Sequence, residues 1–259
     1  MATFKNALIA ETIKMRRTPI VWLILGGALF IPLMEMLIFL FNPDKIKVTP
    51  GENEWLFFIR GTFQFASVFI IPVCMVLATS LLMNIENKSN TWKHILILPI
   101  TRNMIYAVKM TMIMIIIVSF YLFFLSFVML DAMVLKLHFP QFGRTKVGFE
   151  WEYLFELTVE SFLSILAIVA IHIWLSFHIR NVIVIISIGL VGLFLALVMS
   201  SPGTWNGVRY VPYAYPALFS YRLNPLYHYP PVAYNVLAAM SCGLISTLCY
   251  LDYRRNFRG

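Results

Sequence analysis

Glu35 lies in the apolar run that follows Pro19, where a carboxylate must be neutralised or must reach water. Insertion scales put an acidic residue at mid-helix at about 2.5–3.5 kcal/mol. At about 1.5 Å per residue, Glu35 stands about 24 Å along the run, in its outer third. Two readings stand. Arg60, at the outer start of the next run, can pair with it, or Glu35 lines a water-filled path for a substrate. Glu160 and His172 share a later run but are twelve positions apart, about 120° of helical rotation, so they form no joint site on one helix. His172 reads either as a hydrogen-bonded packing residue or as a proton relay. Ser161, Ser164 and His172 contain the residue types of a nucleophile and a base, but no recognised intramembrane-enzyme pattern.

Other chemistries lack their residues. His94, His138, His172, His178 and His228 include no i, i+4 pair, which argues against metal catalysis. Cys74, Cys242 and Cys249 fall inside apolar runs, form no CxxC, and read as packing residues. There is no GxxxxGK[ST] phosphate loop, HExxH, GxSxG or kinase signature, so no catalytic activity and no cofactor is expected on this chain. Any ATP-driven work would need ATP and Mg bound by a partner subunit.

The elements that must position these residues follow from composition. Of the 259 residues, 60% are hydrophobic and 12% charged, against roughly 45–50% and 25% in soluble domains. Mean hydropathy is +0.81, and the apolar residues cluster in runs long enough to cross a bilayer. The expected fold is an all-α polytopic membrane protein forming one transmembrane domain over residues 1–259. An interfacial helix (1–17) precedes six spans at about 19–41, 56–83, 104–130, 155–177, 182–199 and 232–250. In the first segment Phe4, Leu8, Ile9 and Ile13 form the apolar stripe. The basic residues ahead of the first run and the absence of a short apolar core argue against a cleaved signal peptide.

The net charge of +8 reads as positive-inside bias, with no nucleic-acid partner implied. With the N-terminus inside, inner segments hold twelve Lys and Arg and outer segments eight, while the acids divide three to seven. Both termini are therefore expected on the cytoplasmic side of the cell (inner) membrane.

Pro32 and Pro72 each remove a helical hydrogen bond and can bend the first and second spans. Such bends serve gating in some helices and are static in others. Between the fifth and sixth spans, Trp205, Tyr210, Tyr213, Tyr215, Phe219, Tyr221 and further aromatics alternate with six prolines. That composition suits a bilayer boundary, as a plain aromatic belt or as an outer lid that meets an amphiphilic substrate. Glu35, Pro32, Pro72, Tyr213 and Tyr215 are the candidate substrate-path residues.

The polar stretch between the second and third spans is the most informative. Ser89 or Asn90 can cap a short helix in which Trp92, Ile95 and Leu96 share a face and which Pro99 ends. That face suits the groove of a cytoplasmic partner, or the lipid interface.

Glu86, Thr91-Trp92-Lys93, Leu98-Pro99 and Thr101-Arg102, followed by Tyr106 and Lys109 in the next span, resemble the loop between spans two and three of type 2 permeases of ATP-binding-cassette exporters. The whole chain is similar in length, span number and basic tail, and the nearest resemblance is to lantibiotic-immunity and bacitracin-type permeases. The resemblance implies that this loop is a coupling helix, with Glu86, Thr91, Trp92, Lys93, Leu98, Pro99 and Arg102 at or near the contact with a cytoplasmic ABC ATPase. It implies short re-entrant helices between spans five and six. It also implies a homodimer or a pairing with a second similar permease, and an amphiphilic or peptide antibiotic-type cargo moved out of the cell or membrane. The rival from another class is an ATPase-independent secondary transporter or channel using Glu35, Glu160 and His172.

Overall fold

The computed structural model describes residues 4–16, 18–42, 53–88, 102–139, 142, 148–201, 206–223 and 231–256. Among them every regular element is helical: α1 (Phe4–Arg16), α2 (Ile20–Phe41), α3 (Glu54–Phe65), a π-helical turn Ala66–Ile70, α4 (Ile71–Lys88), α5 (Arg102–His138), α6 (Trp151–His178), α7 (Val182–Met199), 3-10 turns Asn206–Tyr210 and Pro212–Ala214, α8 (Tyr215–Leu223) and α9 (Pro231–Asn256). Among the described residues, five helices are long and apolar enough to cross a membrane: α2, Glu54–Ile85, Asn103–His138, α6 and α7. The expected sixth span falls within α9, whose described apolar stretch is the shorter Ala238–Leu248. The protein is an all-helical, polytopic membrane protein.

Several boundaries differ from the pattern-based ones. The second span begins at Glu54, where Asn53 caps the helix by accepting from the Trp55 N–H at 3.0 Å, and it continues to Lys88. The third runs on through Asp131 to His138, because Ala132 and Leu135 extend the buried face begun by Phe124 and Val128. Asp131, one residue past the expected end of the span, is buried within the helix. The fourth starts at Trp151, one residue beyond Glu150, rather than at 155. Pro19, at the expected start of the first span, precedes the helix as its N-cap.

The two prolines have different surroundings. Pro32 is buried within α2. Pro72 follows the π-helical turn, in which the Ile71 N–H reaches back five residues to the Ala66 carbonyl. Proline cannot donate a hydrogen bond, and a π turn is one way the ladder resets around the missing donor.

The second span is the most enclosed, with 61% of its apolar window buried, while α2 and α7 have 22% each. It packs on α2, α6 and α7; α2 also lies along α5, and α9 along α6. Gly27 allows the α2–α4 contact, since a Cβ there would stand 2.4 Å from Cys74 Sγ and 3.3 Å from Phe120 Cε2. Cys74 is thus a buried packing residue. Phe63 and Phe124 meet edge to face at 5.4 Å, joining α3 to α5.

α1 turns most of its apolar stripe outward. Phe4, Ile9 and Ile13 are exposed, and the buried residue is Glu11. The apolar stripe therefore remains available to lipid, while the acidic residue packs against α5.

Candidate functional site

At the end of the bundle that holds α1, Lys109 Nζ donates to Glu11 Oε2 at 3.1 Å, and Lys14 Nζ to Glu11 Oε1 at 2.5 Å. Lys109 is almost wholly buried, so this is a charge pair that fastens the surface helix to the third span. Burial alone would raise the Glu11 carboxyl, but Lys109 and Lys14 outweigh it and hold the group below its ordinary value of 4.5. Nearby, Tyr106 stacks on Phe177 at 6.4 Å and meets Tyr250 edge to face at 5.5 Å, which gathers the ends of α5, α6 and α9.

Glu86 near the end of α4 and Arg102 at the start of α5 are helical and flank the expected coupling segment. Thr91, Trp92, Lys93, Leu98 and Pro99 lie outside the described residues.

At the opposite end, the segment after α7 turns back into the bundle. Arg222 of α8 is paired with Glu160 of α6 and lies 3.5 Å from Glu156. The Ser220 hydroxyl donates to the Gln64 carbonyl at 3.0 Å. Tyr213 reaches much deeper, with its hydroxyl 3.1 Å from His172 Nε2. Twelve residues of α6 separate Glu160 from His172, about 18 Å of axial rise, so the segment is re-entrant. His172 Nδ1 lies 3.4 Å from the Ser80 hydroxyl. Tyr215, the other aromatic expected on the path, is buried in the core.

Space for this cluster comes from α7. A Cβ on Gly189 would stand 2.6 Å from His172 Cε1 and 2.5 Å from Val76 Cγ1, and one on Gly192 3.0 Å from the Tyr213 ring. Two glycines three apart on one helical face thus admit an imidazole and a phenol.

Glu35 accepts a hydrogen bond from the Thr62 hydroxyl. The Arg60 guanidinium extends to Tyr153, with Nε 3.5 Å from the phenol oxygen. Thr62, two residues beyond Arg60, thus supplies a hydrogen bond to Glu35 from the helix face that turns toward α2. Glu35, Glu160 and His172 each have separate partners, so the structure does not assemble them into a relay. Ser161 is bonded to Tyr121 at 2.9 Å and lies 3.3 Å from the Ser67 hydroxyl, while Ser164 donates to the Ser161 carbonyl at 2.7 Å. These serines are structural crosslinks, and neither is hydrogen-bonded to His172.

The sequence model described as ABC-2 family transporter protein matches residues 7–200, from within α1 to the end of α7. The chain belongs to the ABC-2 transporter family. No curated protein and no solved structure matches it. As an ABC-2 protein it is a multi-pass membrane permease subunit of an ABC transporter, of a kind that works with an ATPase partner and is not normally catalytic itself.

Sequence reasoning did not find the Glu11–Lys109 pair, the Glu160–Arg222 clamp, Thr62 or the burial of Asp131. Lys109 offered the one available signal: a cation about five residues into an apolar run needs a partner.

Proposed function

We propose that this permease is the membrane half of an ATP-driven exporter that moves amphiphilic or peptide antibiotic-type compounds out of the cell or membrane, in the manner of lantibiotic-immunity and bacitracin-type permeases. The observation that carries this reading is the re-entrant segment held between Arg222–Glu160 and Tyr213–His172 in an ABC-2 bundle. A structured plug that reaches about 18 Å into the bundle through a few polar contacts is suited to open and reseal an outward path.

In this reading both termini and residues 86–102 face the cytoplasm. ATP binding closes the partner ATPase dimer against Glu86, Thr91, Trp92, Lys93, Leu98, Pro99 and Arg102. The push enters α4 and α5, whose start is fastened to α1 through Lys109 and Glu11. It moves the helices around Pro32, Pro72 and Tyr213, with Glu35 lining the path. The limited burial of α2 and α7 within one chain supports a homodimer, or a pairing with a second permease, through those spans.

Affinity purification of the tagged chain from its native membrane, followed by protein identification and an ATP hydrolysis assay, tests the assignment. The expected result is a near-stoichiometric cassette ATPase that is lost in Trp92→Asp with membrane insertion intact. Recovery of folded permease without an ATPase, or full transport by Trp92→Asp, would contradict it.

A further inference from the structure

A groove of about 420 Å³ lies between α5, α6 and α9. Tyr106, Ile173 and Tyr250 line it at one end, and Met114, Leu166 and Cys242 at the other. On each helix the two are seven or eight positions apart, so the groove runs about 10–12 Å along the bundle. Contacts border the first end: Tyr106 meets Tyr250 edge to face at 5.5 Å, and the Tyr250 hydroxyl donates to Asn103 Oδ1 at 3.4 Å. Between the ends the walls are mainly Met, Ile, Val and Ala side chains. Met114 and Thr247 are exposed, so the groove opens sideways, toward lipid in a membrane-spanning bundle.

The end marked by the two tyrosines is also the basic one. Arg102 stands four residues before Tyr106 in α5, and Arg254 four after Tyr250 in α9, each about 40° around its helix from that tyrosine. Asp252 falls about 160° around α9 from Tyr250, on the far face. No Asp or Glu is among the described lining residues. An apolar slot thus ends at two phenols and two arginine positions, which is complementary to an alkyl chain with a negatively charged head. A helix, about 10 Å across, is too wide for a slot of this volume, whereas one alkyl chain fits. None of the described lining residues belongs to α2 or α7, the spans proposed to meet a second permease. We propose that the groove binds one acyl chain of an anionic glycerophospholipid, with the phosphate held at the Arg102 and Arg254 end. Met110 and Met114, unbranched and adaptable, let the walls close on chains of differing shape. The site depends on neither the cargo nor the direction of transport.

The test uses the purified full chain in phosphatidylcholine nanodiscs containing a trace of phosphatidylglycerol with a photoactivatable diazirine in one acyl chain. After irradiation, the labelled residues are located by peptide mass spectrometry. Adducts are expected at Met110, Met114 and Cys242, and unlabelled phosphatidylglycerol should suppress them where added phosphatidylcholine does not. Arg102→Gln and Arg254→Gln should each raise the competing concentration about fivefold, while Arg209→Gln, at the opposite end of the bundle, leaves it unchanged. Arg102 also borders the proposed ATPase contact, so binding is read on the permease without its ATPase. Adducts spread equally over α2 and α7, equal competition by the two lipids, or full affinity in Arg102→Gln/Arg254→Gln would overturn the site. Equal competition by dodecanol would make the groove a general alkyl slot and overturn the anionic assignment too. If the arginine variants do not insert, Ser246→Trp keeps both cations and fills the groove; adducts at Met114 and Cys242 should then disappear, and their persistence overturns the proposal.

Discussion

Tyr213 and His172 are joined by a hydrogen bond of 3.1 Å that fixes the deepest turn of the re-entrant segment to α6. The rings meet edge to face at 6.1 Å, and the other imidazole nitrogen faces Ser80 of α4. One side chain therefore senses α4, α6, α7 and the plug together. A rearrangement that separates α4 from α6 disturbs His172 first.

Tyr213→Phe removes the phenolic hydroxyl, keeps the ring, and leaves a buried imidazole nitrogen without that partner, which costs about 1–3 kcal/mol. The melting temperature should fall by a few degrees. If the plug must seal and reopen, export should fall with it while ATPase binding is retained. Unchanged melting and export in Tyr213→Phe would show that the contact is incidental.

The two neighbouring glycines of α2 should behave oppositely. Gly27→Ala places a Cβ 2.4 Å from Cys74 Sγ, and overpacking of this kind costs about 1–3 kcal/mol. Gly26 has nothing within 4 Å of its would-be Cβ, so Gly26→Ala should be neutral, or stabilising by up to about 1 kcal/mol through helix propensity. Thermal unfolding of the two variants side by side reads the difference, and equal losses would contradict the packing of α2 on α4 and α5.

Glu11 predicts a pH dependence of definite sign. Its carboxyl titrates lower in the folded protein than its ordinary 4.5, so the unfolded chain binds the proton more readily. The stability from the pair is fully present above the unfolded value and is lost as pH falls through the lower, folded value. The wild type should lose stability on acidification below about pH 4.5, and Glu11→Gln should lack that component. Breaking the pair on one side, as in Lys109→Met, leaves the buried Glu11 with Lys14 alone and should destabilise, with much of the loss restored in Glu11→Gln/Lys109→Met. Unfolding curves from pH 3 to 7 for the single and double variants check both statements.

The spans were legible because bilayer crossing demands long apolar runs, and α7 matches its expected bounds of 182–199 residue for residue. Helix ends were less legible where a polar residue is buried. Asp131 reads as a terminator by type, yet its neighbours at i−3 and i+4, Val128 and Leu135, are both core residues and carry the helix past it. The partners of Glu35 and Glu160 were illegible for another reason. Each lies on a different helix, Thr62 and Arg222 respectively, and intrahelical spacing carries no information about which faces of separate helices meet. In α1 the stripe of Phe4, Ile9 and Ile13 stays exposed, as an interfacial helix requires, but spacing within the helix could not show that Lys109 draws Glu11 inward.

The Glu160–Arg222 clamp gives the sharpest test of whether the plug moves. Both side chains are mostly buried, at 14% and 21% exposure, so removing Arg222 takes the counter-ion from Glu160 in a region of low dielectric, and removing Glu160 leaves Arg222 its longer contact with Glu156. Arg222→Gln and Glu160→Gln should each destabilise, and the double variant should lose less than the sum, with a coupling of about 0.5–3 kcal/mol in a double-mutant cycle. The functional expectation differs from that of Tyr213→Phe. Releasing the outer clamp leaves the deep Tyr213–His172 contact in place, so ATP hydrolysis should continue while the plug closes poorly, and turnover should become less tightly linked to transport. ATP hydrolysed per molecule exported, measured in proteoliposomes, should rise in both single variants. A ratio equal to wild type in correctly folded variants would mean that α8 is a fixed part of the bundle rather than the moving part of the plug.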